Sequence, residues 1–249
     1  MHNKKLPVNE DSSVNPNERK PIDELVMRSG SDVFKFAGYL MNLLNERELG
    51  LEVYGQILDY LIHFLGIGAA AIRLKLGEDF PFFVTRGFSD RFLEEDNFIC
   101  LRDQSGNATL TETGCPSLIC FCGAVLSQDV HASDVKLTGH GIFRANGADE
   151  LNPSGKSIHV KSAAIRCFTD GYTALCLTPV RSSSGISGLL ILADTKPLRL
   201  THELNTLLQI LSFGMGAAFD RLLPSTRRQN ETSSINERLF QNIFSLGPV

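Results

Sequence analysis

Two apolar runs joined by a Ser-rich turn constrain the fold more than any other stretch of this sequence. The first run, Tyr172 to Arg181, is apolar enough for a buried strand, and Ser182 to Gly185 supplies a turn. The second run, Ile186 to Asp194, is dense in Ile and Leu and predicts the returning strand. The sequence therefore predicts a buried antiparallel hairpin in its second half.

A second hairpin is predicted in the first half of the chain. Ala70 to Leu76 alternates, with its Ile and Leu residues on one face and Arg73 on the other. A Gly-Glu-Asp turn leads from it to Phe80 to Thr85, the expected partner strand. A short helix over Asp90 to Glu95 and a brief strand over Phe98 to Leu101 are expected to follow.

Amphipathic helices flank these hairpins. Apolar periodicity predicts helices over Asp32 to Glu48 and Leu51 to Leu65, and a third helix from a cap at Thr201 to about Leu223, before Pro224. Apolar residues recur with heptad spacing along the third helix: Leu204, Leu208, Leu211, Met215, Ala218 and Leu222. We call this row the heptad seam. It fits either pairing with another helix or packing on the sheet.

Composition is that of an ordinary globular protein. The 249 residues are 43% hydrophobic and 21% charged, and they fit one large domain with flanking pieces. The net charge of −4, without a basic block, disfavours nucleic acid and anionic membranes as partners. The polar first 20 residues lack an apolar signal region, and no run approaches the roughly 18 apolar residues of a membrane span. We therefore expect a cytoplasmic protein.

All six cysteines lie between Cys100 and Cys176, five of them in a loop-rich stretch that ends at Cys167. We call residues 100–167 the insert. Loops on a rigid scaffold are where binding usually resides. In a reducing compartment these cysteines are core residues, metal ligands or redox thiols rather than disulfides.

A turn-rich segment near the end of the insert is a candidate pocket edge. His140, Phe143 and Asn146 are its candidate ligand- or cofactor-binding residues. A neutral imidazole can bind a metal or haem, although haem is the less favoured cofactor. The segment lacks the Lys-Ser/Thr ending of a phosphate loop.

The element order, together with Gly87-Phe88-Ser89, Cys120-Phe121-Cys122-Gly123 and Gly171-Tyr172-Thr173-Ala174-Leu175, resembles a GAF domain over roughly residues 50–222. The resemblance implies an α+β fold: an antiparallel sheet of about six strands, with helices on one face and the cysteine insert on the other. Four segments are expected: a disordered segment over 1–30, an N-terminal helix over 31–50, the GAF domain over 51–223, and a linker with a short helix over 224–249.

Within this family, the chain is similar to the GAF domains of bacterial PAS/GAF sensor histidine kinases, whose cysteine pattern matches Cys100, Cys120, Cys122 and Cys167. Four thiolates can hold Zn²⁺ or an iron–sulfur cluster, so these cysteines are the candidate metal ligands. Redox-active thiols and inert buried thiols are the alternatives. Cys115 falls outside the pattern, and Cys176, in a buried strand, is expected to be a packing residue.

The resemblance implies a sensory module. It would bind a small ligand, a metal or a redox cofactor and pass the signal through dimeric flanking helices to a histidine kinase or another output protein. The tail Asn236 to Phe240 resembles the start of a PAS domain, but no phospho-acceptor His box or ATP lid follows, so no enzyme activity is expected.

Two alternatives to a sensor stay open. Free methionine-(R)-sulfoxide reductase is also a GAF domain, and Cys122-Gly123 resembles its Cys-Gly turn, although this sequence lacks the Trp typical of that family. The other alternative is a scaffold protein with no ligand.

Overall fold

The computed structural model describes residues 30–46, 50–127, 137–146, 167, 170–198 and 201–227. Within these ranges the chain forms five helices and five strands: α1 (Gly30–Leu44), α2 (Leu51–Leu65), β1 (Ala69–Leu74), β2 (Phe82–Arg86), α3 (Asp90–Asp96), α4 (Cys120–Ser127), β3 (Phe143–Asn146), β4 (Ala174–Ser182), β5 (Gly185–Asp194) and α5 (His202–Arg227). The segments expected to be disordered or a linker lie outside the described residues, apart from their innermost ends.

The strands form one antiparallel sheet with the order β2-β1-β5-β4-β3. The hairpin of β4 and β5 lies at its centre, and β1 adds to β5 with Ile72 opposite Leu190. The α+β architecture is confirmed, with five strands rather than six among the described residues. The brief strand expected at Phe98 to Leu101 is reduced to an isolated bridge between Cys100 and Leu118.

Each face of the sheet is covered by its own apolar core. The helix-side core contains α1, α2 and α5 against alternate strand residues such as Ile72, Cys176 and Leu190. The insert-side core contains α3 and α4 against the intervening residues, among them Leu177 and Ile191. Period-two alternation along each strand assigns neighbouring residues to opposite cores. The predicted division into a helix face and an insert face is confirmed.

The three long helices share the helix side. α2 lies over β1 and β2, α5 lies over β4 and β5, and α1 packs against both helices. Tyr54 of α2 stacks against Phe219 of α5 with 5.3 Å between ring centroids. The predicted cap at Thr201 is present, since Leu204 N donates to Thr201 Oγ1 at 3.3 Å. Ser89 caps α3 in the same way, its Oγ accepting from Phe92 N at 3.2 Å.

The heptad seam of α5 faces the protein's own core. Its described side chains, Leu204, Leu208, Leu211, Met215 and Ala218, are all buried on the helix side. The spacing therefore reflects packing on the sheet, and this row is not available to a second helix. The expected stop before Pro224 is also wrong, because α5 continues to Arg227. A proline removes one backbone hydrogen bond but does not by itself end a helix.

Among the described helices, none combines the length and the apolar character needed to cross a membrane.

Candidate functional site on the insert side of the sheet

A buried ion pair lies on the insert side of the sheet. Arg73 of β1 is 0% exposed, and its Nη2 donates to the Asp96 carboxylate at 2.9 Å. The same guanidinium donates to three backbone carbonyl oxygens, those of Phe80 at 2.9 Å, Asn97 at 2.8 Å and Asp96 at 2.5 Å. It also lies 3.7 Å from the ring centroid of Phe82. Arg73 therefore joins β1, the β1–β2 turn and the end of α3.

Asp79 fixes the start of the insert. Its Oδ1 accepts hydrogen bonds from the backbone N–H groups of Phe80 at 2.7 Å, Ile99 at 2.9 Å and Cys100 at 3.1 Å. A buried carboxylate needs such donors in place of water. The turn between the first two strands thus holds the chain that leads from α3 into the insert.

Cys120 and Cys122 lie at the beginning of α4, a helix that the sequence did not predict. Residues two apart in a regular helix do not face each other. Cys120, however, has a φ of 62°, and it is the one non-glycine residue with positive φ among those described. Cys120 and Cys122 are both buried in the insert-side core. The left-handed backbone of Cys120 therefore marks the point where the chain turns into α4.

The two thiols differ in acidity. The neighbouring Cys122 thiol lowers the pKa of Cys120 below its ordinary value despite burial, and Arg73 and the Gly123 N–H act in the same direction. The pKa of Cys122 is raised well above its ordinary value, first by the Cys120 thiol and then by burial. Cys120 is therefore the more acidic of the two thiols.

Cys167 lies in the same electrostatic neighbourhood. Burial raises its pKa, Asp96 and Cys120 raise it further, and Arg73 acts to lower it. The structure thus brings three of the four predicted metal ligands into the insert-side core, beside one buried cation and one buried carboxylate.

Cys100 has different neighbours. Its Sγ donates to the carbonyl oxygen of Leu101 at 3.6 Å. Burial and the nearby Asp79 raise its pKa, whereas Arg102 lowers it. Within the described part of the chain, no three His, Cys, Asp or Glu side chains are placed to hold a metal ion. The Arg73 charge beside the other thiols also opposes a divalent cation. The four-cysteine metal site stays a prediction.

The candidate pocket-edge residues point to different surroundings. Phe143 is buried in the insert-side core and stacks on Phe121, with 5.2 Å between ring centroids. Asn146 Oδ1 accepts from Leu198 N at 2.8 Å, and His140 is exposed in a turn. These three side chains therefore have separate surroundings. Their role in binding a cofactor stays a prediction.

The remaining cysteines have simple surroundings. Cys115 is exposed. Cys176 of β4 is fully buried in the helix-side core, and burial raises its pKa to about 12. This is the packing environment expected for Cys176.

Sequence reasoning missed Arg73, Asp79 and Asp96. The alternation along β1 was predicted correctly, because Arg73 does face away from Ile72. The face that it occupies is covered by the insert instead of by solvent. A signal was present, since Arg73 shares its face with Ala69 and Ala71, which are small apolar residues typical of a covered surface.

Neither the family models nor the curated protein sequences give a match to this chain. Solved structures, in contrast, are similar to this chain in fold. The GAF domain of a phosphoenolpyruvate-protein phosphotransferase from Acinetobacter is 10% identical, with a TM-score of 0.51 over 78% of this chain and 97% of that domain. The corresponding GAF domain from Coxiella burnetii is 12% identical, with a TM-score of 0.50 over 79% of this chain and 99% of that domain.

A third similar structure is the free methionine-R-sulfoxide reductase from Neisseria meningitidis in complex with its substrate. It is 11% identical, with a TM-score of 0.47 over 77% of this chain and 93% of that enzyme. This TM-score is too low to favour the enzyme's activity for the present chain. The first two likenesses, with the sheet order and the two covered faces, establish that the chain has the GAF fold.

Proposed function

We propose that this GAF-fold chain is a sensory module of a signalling protein, with its input on the insert side of the sheet and its output in α1 and α5. The observation that carries the proposal is the division of one sheet into two cores. The insert-side core holds three thiols beside a buried ion pair, and the helix-side core holds the helices that lead to the flanking segments. The signal in this proposal is a small ligand, a metal or a redox change.

Close backbone packing couples the two sides. Ser212 of α5 donates its hydroxyl to the Pro179 carbonyl oxygen of β4 at 2.5 Å. Gly216 lies so close to the Arg181 carbonyl that a Cβ there would overlap it. Alternate residues of β4 face the insert, so a displacement of this strand moves α5 with it. A shift of a packed helix is an established form of signal transmission.

The output is proposed to be a homodimer acting on a histidine kinase or another signalling protein in the cytoplasm. Because the heptad seam is buried, the dimer contact is assigned to the outer surface of α1 and α5. Phe34 of α1 and Phe213 of α5 are 60% and 59% exposed there. Large exposed apolar side chains are typical of interaction surfaces.

Hydrogen exchange tests the sensory proposal. The protein is purified without oxygen, its bound metals and small molecules are identified by native mass spectrometry and its absorption spectrum is recorded. Exchange in α1 and α5 is then compared before and after addition of Zn²⁺ or hydrogen peroxide. We expect altered exchange in these helices with at least one probe, in the wild type and in the Cys115→Ser control. Unaltered exchange with both probes, in a protein that carries no bound species, would favour the empty scaffold instead.

A thiol reductase is the second candidate function, favoured by the three neighbouring thiols Cys120, Cys122 and Cys167. Two thiols can reduce a sulfoxide to a sulfide, giving one disulfide and one water. The test is turnover of free methionine-(R)-sulfoxide with dithiothreitol as the reductant. Turnover that is abolished by Cys120→Ser and retained by Cys115→Ser would establish the enzyme in place of the sensor.

A further inference from the structure

We propose that α5 is held against β4 in a fixed register, so that the helix moves with this strand and neither rotates nor slides along it, and that Asp220 is the residue that completes this register. The inference rests on the proposed sensory function for its meaning, because it names the form of the output: a joint displacement of β4 and α5. The register itself follows from three contacts between the two elements, which we call the register contacts.

The edge of β4 that faces away from β5 is only partly covered by another strand. β3 pairs with β4 over Ala174–Leu177, whereas β4 continues to Ser182. Among the described residues, no strand pairs with this edge beyond Leu177. Pro179, which has no N–H group, is typical of such an edge. The remaining backbone groups of an uncovered edge need another partner.

α5 supplies this partner through two polar side chains. Ser212 Oγ donates to the Pro179 carbonyl oxygen at 2.5 Å. Ser183 N, directly after the end of β4, donates to Asp220 Oδ2 at 2.7 Å. The two helix positions are eight residues apart, on one side of α5, and the two strand positions are four residues apart. These hydrogen bonds are the first and the last of the register contacts.

Gly216 makes the middle contact, halfway between the other two. It lies so close to the Arg181 carbonyl that a Cβ there would overlap it. The contacts thus recur every four residues of the helix and every two residues of the strand. Four residues of an α-helix rise about 6 Å, and two residues of a strand extend about 6.6 Å. Because these steps nearly match and both elements run in the same direction, all three contacts form together.

The register contacts oppose two movements of α5 by itself. A rotation of about 100°, which is one residue of an α-helix, would replace Gly216 by a residue with a side chain, for which the Arg181 carbonyl leaves no space. A slide of about 3 Å, which is two residues, would stretch both hydrogen bonds beyond their normal length. A displacement of α5 that keeps these contacts must therefore be shared with β4.

The register also connects the two sides of the sheet with α1. Leu175 and Leu177 of β4 belong to the insert-side core. Arg221, the residue after Asp220, donates to the carbonyl oxygen of Leu44, the last residue of α1. In this proposal a displacement of β4 that begins in the insert-side core therefore moves α5 and the end of α1 together.

Amide hydrogen exchange, measured residue by residue with NMR, tests the register contacts in the full chain. In Asp220→Ala the Ser183 amide loses a charged acceptor, and we expect exchange about tenfold faster both at Ser183 and in the turns of α5 around Gly216. Asp220→Asn keeps an oxygen acceptor and should stay within about threefold of the wild type. Gln209→Ala, on the same helix, is the control and should leave the exchange of Ser183 unchanged.

Two results would overturn the fixed register. Faster exchange that is confined to Ser183 in Asp220→Ala would show that Asp220 caps only the turn after β4. Ser212→Ala removes the contact at the opposite end, and we expect it to speed the exchange of Ser183 as well. An unchanged Ser183 amide in a folded Ser212→Ala protein, as judged by circular dichroism, would show that the contacts are independent of one another.

Addition of Zn²⁺ or hydrogen peroxide distinguishes the register from the sensory function. Where the exchange of α5 changes in the wild type, we expect Asp220→Ala to respond in β4 and to lose most of the response in α5. A full response of α5 in this variant would overturn the register as the route of the signal. No response of the wild type to either probe would contradict the sensory function, and the exchange of the variants without a probe then decides the register.

Discussion

Arg73 is a full positive charge in a place where water cannot solvate it. Its stabilisation comes from the Asp96 carboxylate, from three backbone carbonyl oxygens and from the Phe82 ring. Removing one partner of such a pair costs more than the intact pair contributes, because the other charge is left buried and unpaired. Arg73 is therefore essential to the insert side in a way that exposed arginines are not.

Replacing this arginine should destabilise the protein strongly. We expect Arg73→Met to lower the free energy of unfolding by about 3–5 kcal/mol, since it removes the cation that pairs with the buried Asp96 carboxylate. The matched control is Arg86→Met, which removes an ion pair with Asp59 whose side chains are 43% and 52% exposed. That change should cost less than about 1 kcal/mol. Urea denaturation measures both, and equal effects of the two substitutions would contradict this account of Arg73.

Arg73 shows how much of one residue's environment could be predicted from the sequence. The period of β1 followed from the sequence, because alternation is a local property of a strand. Which face is covered depends on an insert that begins more than twenty positions later, so local pattern did not assign Arg73 to a core. The three thiols were found from their family pattern, whereas Asp79 and Asp96 carry no motif and were missed.

At the scale of elements, α5 and β4 are in close backbone contact. The helix carries Gly216 at its closest approach to the strand and Gly214 where α1 crosses it, against Met41 and Leu44. Small residues at these positions let backbone approach backbone. The spacing between α1, α5 and β4 is therefore set by two glycines, in addition to the apolar core.

A methyl group at the helix–strand contact should separate these elements. We expect Gly216→Ala to destabilise the protein by about 1–3 kcal/mol, because the new Cβ would overlap the Arg181 carbonyl oxygen. The control is Gly38→Ala on α1, where a Cβ meets no atom within 4 Å. That substitution should stabilise by about 0.5–1 kcal/mol, since alanine favours a helix interior. Thermal unfolding compares them; stabilisation by both would show that α5 can move away from β4 without cost.

Elements were predictable where local pattern and burial agree. The β4–β5 hairpin was predicted within about two residues at each end, because a central strand is apolar on both faces. Helix α4 was missed because its eight residues are apolar on almost every side and give no amphipathic period. Its beginning at Cys120 in a left-handed conformation is also not a standard capping signal.

For the whole molecule, the burial of the heptad seam changes where an oligomer can form. Leu208 and Leu211 are fully buried in the helix-side core, so they stabilise the fold of one chain. The largest exposed apolar side chains on the α1–α5 layer are Phe34 and Phe213. The same layer contacts β4 through α5. A dimer through this outer surface would therefore bring the α1–α5 layers of two chains into contact.

Charged substitutions at exposed and at buried positions should distinguish residues that form the dimer from residues that stabilise the fold of one chain. We expect Phe34→Glu and Phe213→Glu to give folded monomers, because an exposed glutamate costs little in one chain but is buried without a partner in a dimer. Leu208→Glu should instead unfold the protein, since its carboxylate would enter the helix-side core. Sedimentation velocity gives the oligomeric state and circular dichroism gives the fold. A wild-type protein that sediments as a monomer at micromolar concentration would contradict the dimer. A Leu208→Glu protein that is folded and monomeric would indicate that the dimer forms through the heptad seam.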